Sequence, residues 1–178
     1  GGRGAYIGKV RDDQLGKVFS HDIKAIGVDY LLRPATEGPS TARCLIFVTP
    51  DADRTMQTFL GVSVMLGPAD IDPQAIGAAR ITYLEGYLFD REEAKEAFVK
   101  AAELAHAAGR KVALSLSDPF CVARHRASFR HLVEGHIDIL FANHDEITSL
   151  FETDSFDEAV AQVVGLVDIA AVTRGAEG

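Results

Sequence analysis

Asn143 and Glu146 stand three residues apart in Ile137–Leu150, IDILFANHDEITSL, where an apolar run stops abruptly at polar groups. A carboxamide and a carboxylate on one face of a first helical turn suit an ordered metal–water shell or a nucleotide phosphate. The same spacing suits a helix cap, with Asn143 bonding the Glu146 amide and the helix dipole favouring the Glu146 charge. Spacing alone fits both. Thr173-Arg174-Gly175-Ala176-Glu177-Gly178 follows another apolar run. Its hydroxyl, guanidinium and glycines can hold a phosphate, or form a plain strand-to-loop turn. Glu85-Gly86-Tyr87 also ends a predicted strand. Tyr87 can lie against a planar ligand, with Gly86 permitting close approach, or pack as an ordinary core aromatic. Arg54, beside Asp53, can close over an anion or stand as a lone surface arginine. Asp118, before Pro119, is expected to cap a helix rather than face a cleft.

Other groups lead away from chemistry. Gly1, Gly2 and Gly4 match neither a dinucleotide fingerprint nor a P-loop and have no strand before them, so they read as turn glycines. His125, His131 and His136 lack the i,i+4 spacing of a zinc site, and His144 stands out only as a neighbour of Asn143. Cys44 and Cys121 form no CxxC and are expected to stay reduced in a cytoplasm. There is no GxSxG and no Cys/His nucleophile arrangement.

The elements that must position these residues follow from hydrophobic periodicity. Ala5–Val10 reads as a strand, then Asp12/Asp13 cap a helix reaching Ile26, stopped by Gly27. Its apolar stripe is Leu15, Val18, Phe19, Ile23 and Ile26. Val28–Arg33 is a strand, and Thr41–Thr49 and Arg54–Leu60 flank Pro50–Asp53 as a hairpin. The mixed character of both hairpin faces places it outside the main core, as a flap, lid, dimer edge or ordinary edge hairpin. From Asp72 onward strands and helices alternate: helix Pro73–Ala79, strand Arg80–Glu85, helix Arg91–Ala108, strand Lys111–Leu116 and helix Val122–Val133. Strand Ile137–Phe141, helix His144–Leu150, helix Phe156–Val167 and strand Ile169–Thr173 complete the series. Asp90 with Glu93 predicts a capping box for the helix from Arg91, whose buried stripe is Ala94, Ala97, Phe98, Ala101, Leu104 and Ala105. The alternation implies a doubly wound, mainly parallel sheet with helices on both faces and a small β appendage. In such sheets ligands gather beyond the carboxyl ends of the strands.

The chain has 178 residues, 47% hydrophobic and 25% charged, room for one domain or part of a larger one. A net charge of −8 argues against nucleic acid as the main partner. The apolar runs are strand-sized, too short to span a membrane as helices.

Taken together, these stretches resemble the ribokinase-like (PfkB) family of sugar and nucleoside kinases. GGRGAYIGKVRDDQLGKVF is similar to that family's LGG…fiGkvGdDxfG stretch, with Arg11 where a glycine is usual, and Gly27–Asp29 to its gVd. Asn143–Glu146 matches its NxxE motif, and Thr173–Gly178 its TxGxxG nucleotide loop. Residues 28–33 and 41–60 fall where the family places its β lid. The resemblance therefore implies one partial ribokinase-like domain over 1–178. Asp53-Arg54-Thr55 and Tyr83-Leu84-Glu85-Gly86-Tyr87 are closest to segments of adenosine-kinase-like members.

The implied activity is transfer of the ATP γ-phosphoryl to a nucleoside hydroxyl, with ATP and Mg²⁺ as cofactors. By the same resemblance Glu146, and Asn143 through water, hold the metal. Asn143, Thr173, Arg174, Gly175 and Gly178 bind the nucleotide, Tyr87 and Glu85 the substrate, and Arg54 stabilises transferred charge. A homodimer through the lid is also implied. The family's downstream GAGD motif, whose aspartate takes the hydroxyl proton, and its upstream GGxxxN segment are absent from these residues. The sequence is therefore expected to be an internal portion, inactive alone and exposing apolar surface where the sheet ends. A sugar kinase for ribose or a keto-deoxy sugar acid, and a non-catalytic binding module, are the alternatives.

Overall fold

In a computed structural model, which describes residues 2–178, the chain divides into two compact units, one ending at Leu66 and one running Gly67–Gly178. Gly1 of the amino-terminal glycine cluster lies outside the described residues.

In the first unit β1 (Ala5–Tyr6) and β2 (Asp29–Tyr30) pair in parallel, joined by α1 (Gln14–Ala25). Both strands are much shorter than the expected Ala5–Val10 and Val28–Arg33. Asp13 caps α1 by accepting the Gly16 amide at 2.8 Å, and also accepts the Thr41 amide and hydroxyl at 2.9 and 2.7 Å. These bonds, the Thr41 amide first, hold its carboxyl down to about 2. Gly16 is required here: a Cβ would sit 1.9 Å from the Arg11 carbonyl oxygen. Gly27, at φ +83°, turns the chain out of the helix. Tyr6, Phe19 and Tyr30 pack their rings together with centroids 5.6–6.1 Å apart. The rest of the predicted α1 stripe is not buried: Leu15, Val18 and Ile26 are exposed.

β3 (Arg43–Val48) and β4 (Arg54–Phe59) form the predicted antiparallel hairpin, in register Arg43↔Phe59 to Val48↔Arg54. Every residue of both strands is exposed, so the hairpin stands outside any core.

In the second unit α2 (Pro73–Ala78) leads into β5 (Ile81–Glu85), followed by α3 (Glu92–Ala107), β6 (Lys111–Ser115), α4 (Pro119–Arg124) and α5 (Arg126–Gly135). β7 (Ile139–Asn143), α6 (His144–Phe151), α7 (Phe156–Val163) and β8 (Ile169–Thr173) complete it. The four strands lie in the order β5-β6-β7-β8, all parallel. Leu84, Val112, Leu114 and Leu140 point to one face and are buried there. The α3 stripe covers that face: Ala94, Ala97, Phe98, Ala101 and Ala105 are buried as predicted, and small alanines let the helix lie close to the strands. Leu104 is only half-buried. The other face carries Ile81, Tyr83, Phe141 and Ile169, all exposed. This unit is thus a parallel α/β sheet with one face buried under helices and the other exposed.

Three local expectations are corrected. Asp90 and Glu93 form no capping box: α3 begins after Arg91 with no side-chain cap, because Asp90 turns instead to His125 Nε2 (2.7 Å) and Arg124 Nη2 (3.1 Å). The His125 bond chiefly lowers the Asp90 pKa. The single helix Val122–Val133 is two, α4 and α5, broken at the same His125, whose ψ of 27° leaves the helical well. The helix from Phe156 ends at Val163 rather than Val167, because Gly165 takes a left-handed φ of +84°.

Candidate functional site

Parallel register brings the strand ends to one rim. Glu85, Ser115, Asn143 and Thr173 are the last residues of β5, β6, β7 and β8. Glu85 pairs with Ser115, and Asn143 with Thr173. The two polar motifs, 30 residues apart in sequence, are therefore neighbours on adjacent strands.

Asn143 is both the end of β7 and the cap of α6. Its Oδ1 accepts the Glu146 amide at 2.9 Å, while the Glu146 carboxylate accepts the Asn143 N–H and Nδ2–H, each at 2.9 Å. The helix-cap reading of this pair is thus observed. Glu146 is only 6% exposed. Burial raises its pKa first, the Asn143 N–H opposes this, and the charges of Asp118, Glu85 and Asp145 raise it further. Each carboxylate oxygen is engaged by Asn143 yet keeps a lone pair for water.

Glu85 accepts the Tyr83 hydroxyl at 3.1 Å and the Ser117 hydroxyl. Ser117, which the sequence did not single out, holds a left-handed φ of +70° and accepts the Gly86 N–H at 3.0 Å. It ties the end of β5 to the loop after β6. Ser-Asp-Pro marks a turn there, but a positive φ at serine has no sequence signature. Asp118 caps α4 as expected, accepting the Phe120 and Cys121 amides at 2.6 and 3.1 Å.

Tyr87 sits in a 3₁₀ turn, Gly86–Leu88, beside Glu85, and is 46% exposed. Partial burial raises its pKa first, followed by the Asp118, Glu85 and Glu146 charges. Gly86 serves the fold as well as any ligand: a Cβ there would lie 2.7 and 2.8 Å from the Ser115 and Leu116 carbonyl oxygens.

After β8, Gly175 turns at φ +58° into a 3₁₀ turn, Gly175–Glu177, and the Arg174 N–H bonds back to the Gly178 carbonyl. Arg174 pairs with Glu177 at 3.1 Å and lies over the Phe156 ring at 4.6 Å. Arg54 belongs to the first unit, exposed at the start of β4 opposite Val48. Cys44 and Cys121 are unpaired. Among the described residues, no helix is long and apolar enough to cross a membrane.

A rim of this kind occurs on many open α/β sheets, so the whole sequence must decide the family. The model of the pfkB family carbohydrate kinases matches residues 1–178. The chain belongs to this kinase family. Among solved structures, adenosine kinase from Sinorhizobium meliloti is 49% identical with a TM-score of 0.94, over 100% of this chain and 55% of its own. A "probable sugar kinase protein" from Rhizobium etli CFN 42 is 47% identical, also at 0.94, over 100% of this chain and 54% of its own. The Arabidopsis thaliana "Probable fructokinase-3" is 25% identical over 166 residues, 90% of this chain and 48% of that protein. This pfkB chain thus spans about half the length of these relatives, and its fold is the ribokinase-like α/β fold.

Proposed function

We propose that this pfkB-family chain serves ATP-dependent phosphoryl transfer to a hydroxyl of a nucleoside, with adenosine as the acceptor. The observation that carries the reading is the buried Glu146, held by Asn143, directly beside the Thr173 loop on the adjacent strand. Likeness to the Sinorhizobium adenosine kinase supports the choice of acceptor.

In this reading Thr173–Gly178 receives the ATP phosphates, with close backbone approach at Gly175 and Gly178. Glu146, and Asn143 through water, would hold Mg²⁺. A buried carboxylate under the charges of Asp118, Glu85 and Asp145 is a setting that a nearby cation relieves. When bound, that ion neutralises charge on the phosphate oxygens. Tyr87 stacks on the base, Glu85 accepts a substrate hydroxyl, and Arg54 stabilises the transferred charge. Exposed Leu45, Ile46, Phe47, Val48 and Met56 make the hairpin the surface for a second copy. Sedimentation as a monomer at every concentration would remove that part of the reading. A cytoplasmic setting fits the free cysteines.

Likeness to the Rhizobium sugar kinase favours a second reading, a sugar hydroxyl as acceptor. Tyr87 separates the two. In the full-length native protein, Tyr87→Ala is expected to raise KM for adenosine about tenfold, as loss of an aromatic stacked on a base does. Phosphorylation of fructose should change less than about twofold, since a small sugar offers no base to stack. An unchanged adenosine KM removes Tyr87 from the substrate wall. A protein that phosphorylates fructose and ignores adenosine establishes the sugar reading instead.

A further inference from the structure

Phe156 is the first residue of α7, and its place is fixed from several sides. Glu152 turns the chain at φ +54°, and the Arg126 guanidinium holds the Glu152 carboxylate at 3.0 Å. Ser155 caps α7 through the Glu158 amide at 3.3 Å, and the Thr153 hydroxyl bonds Glu158 at 2.6 Å. The half-buried Phe156 ring then meets two groups from the strand-end rim. The His144 ring, next to Asn143, stacks on it at 5.6 Å with an interplanar angle of 16°. The Arg174 guanidinium, next to Thr173, lies 4.6 Å from its centroid and is held from its other partner, Glu177, at 3.1 Å.

One ring therefore joins the first turn of α6, which carries Glu146, to the loop 173–178. The sequence suggested Arg174 as a direct phosphate ligand. Here its charge is already shared between an aromatic face and a carboxylate, the arrangement of a side chain that fastens a loop.

We propose that Phe156 and Arg174 are positioning residues that fasten the 173–178 loop beside the Asn143–Glu146 turn and so set affinity for the adenine nucleotide. The proposal rests on the reading of 173–178 as the nucleotide loop. It separates cleanly from direct ligation. If Arg174 touches phosphate itself, removing the ring under it has little effect on the nucleotide. If Arg174 acts through Phe156, the two side chains work as one unit and their losses do not add.

The test uses the full-length native protein, with Phe156→Leu, Arg174→Ala, the double variant and Phe156→Tyr. Phe156→Leu keeps apolar volume and removes the aromatic face; Phe156→Tyr keeps the face. Titration with Mg·ADP should show each single variant binding about fivefold more weakly, with the double variant no weaker than either and Phe156→Tyr restored to wild type. In Phe156→Leu, KM for Mg·ATP should rise by the same factor while kcat and KM for adenosine stay within about twofold. Amide exchange of residues 174–178 without ligand should quicken in Phe156→Leu. Wild-type affinity in Phe156→Leu, or additive losses, overturns the proposal. A wild-type protein that fails to bind Mg·ADP removes the nucleotide reading. The exchange rates then still report whether the ring fastens the loop, and unchanged rates overturn that as well.

Discussion

Replacing Glu146 with glutamine in the full-length native protein lowers kcat/KM for Mg·ATP by about 100-fold, the upper range for outer-shell groups around a metal. KM for adenosine changes less than about threefold, because in the proposed reading Glu146 serves the nucleotide rather than the acceptor. Glutamine keeps the size of the side chain but loses the charge that a hydrated cation needs. It also gives up one of the two hydrogen bonds that the carboxylate oxygens accept from Asn143. Burial raises the Glu146 pKa, so the ionised carboxylate opposes folding above that pKa, and this cost is relieved as pH falls through it. The glutamine variant should therefore melt within about 4 °C of wild type at neutral pH. The same shift sets a pH signature. As pH falls through the raised pKa, Glu146 gains a proton and KM for Mg·ATP climbs, at a pH above the ordinary glutamate range. The glutamine variant lacks that limb. Equal turnover of variant and wild type at saturating Mg·ATP would remove Glu146 from the site.

Phe129→Ala has the largest expected effect on stability, a loss of about 3–5 kcal/mol. Phe129 is 0% exposed and stacks on Phe89 with centroids 4.2 Å apart and an interplanar angle of 22°. Phe89 in turn meets Phe98 of α3 at 5.3 Å. Removing one end of this cluster leaves a cavity beside Phe89 that the surrounding helices cannot close. Calorimetry should record a fall in Tm of about 10 °C or more. The effect reaches the rim, because the Phe89 N–H closes the Gly86–Leu88 turn at 3.1 Å and that turn presents Tyr87. KM for adenosine is expected to rise alongside the drop in Tm. A variant melting within about 2 °C of wild type would contradict the stability loss, and an unchanged KM for adenosine would show that the cluster does not hold the turn.

The parts legible in the sequence were those set by local pattern. The α3 stripe, the hairpin and the strand Ile169–Thr173 follow from periodicity and turn residues. The juxtaposition of Asn143 with Thr173 follows from consecutive parallel strands, which place successive strand ends on one rim. What escaped was set by distant partners. Asp90 carries the spacing of a cap, but His125 and Arg124 outcompete the helix amides for its carboxylate. The backbone of Ser117 and the ring of Phe156 acquire their roles only when β5 meets β6 and α7 meets the loop after β8. Ile139-Leu140-Phe141 reads as a strand covered on both sides, yet Phe141 lies on the exposed face of the sheet. Continuous apolar runs report that a strand wants cover on each face, not which residues provide it.

The most direct measurement is ADP formation from Mg·ATP by the full-length native protein, with and without adenosine. Formation of ADP that depends on adenosine, with AMP produced in equal amount, is the result predicted from the Asn143–Glu146 turn and the Thr173 loop. Tight binding of Mg·ATP and adenosine with no ADP formed would contradict it, and would leave this pfkB chain a binding module rather than a kinase.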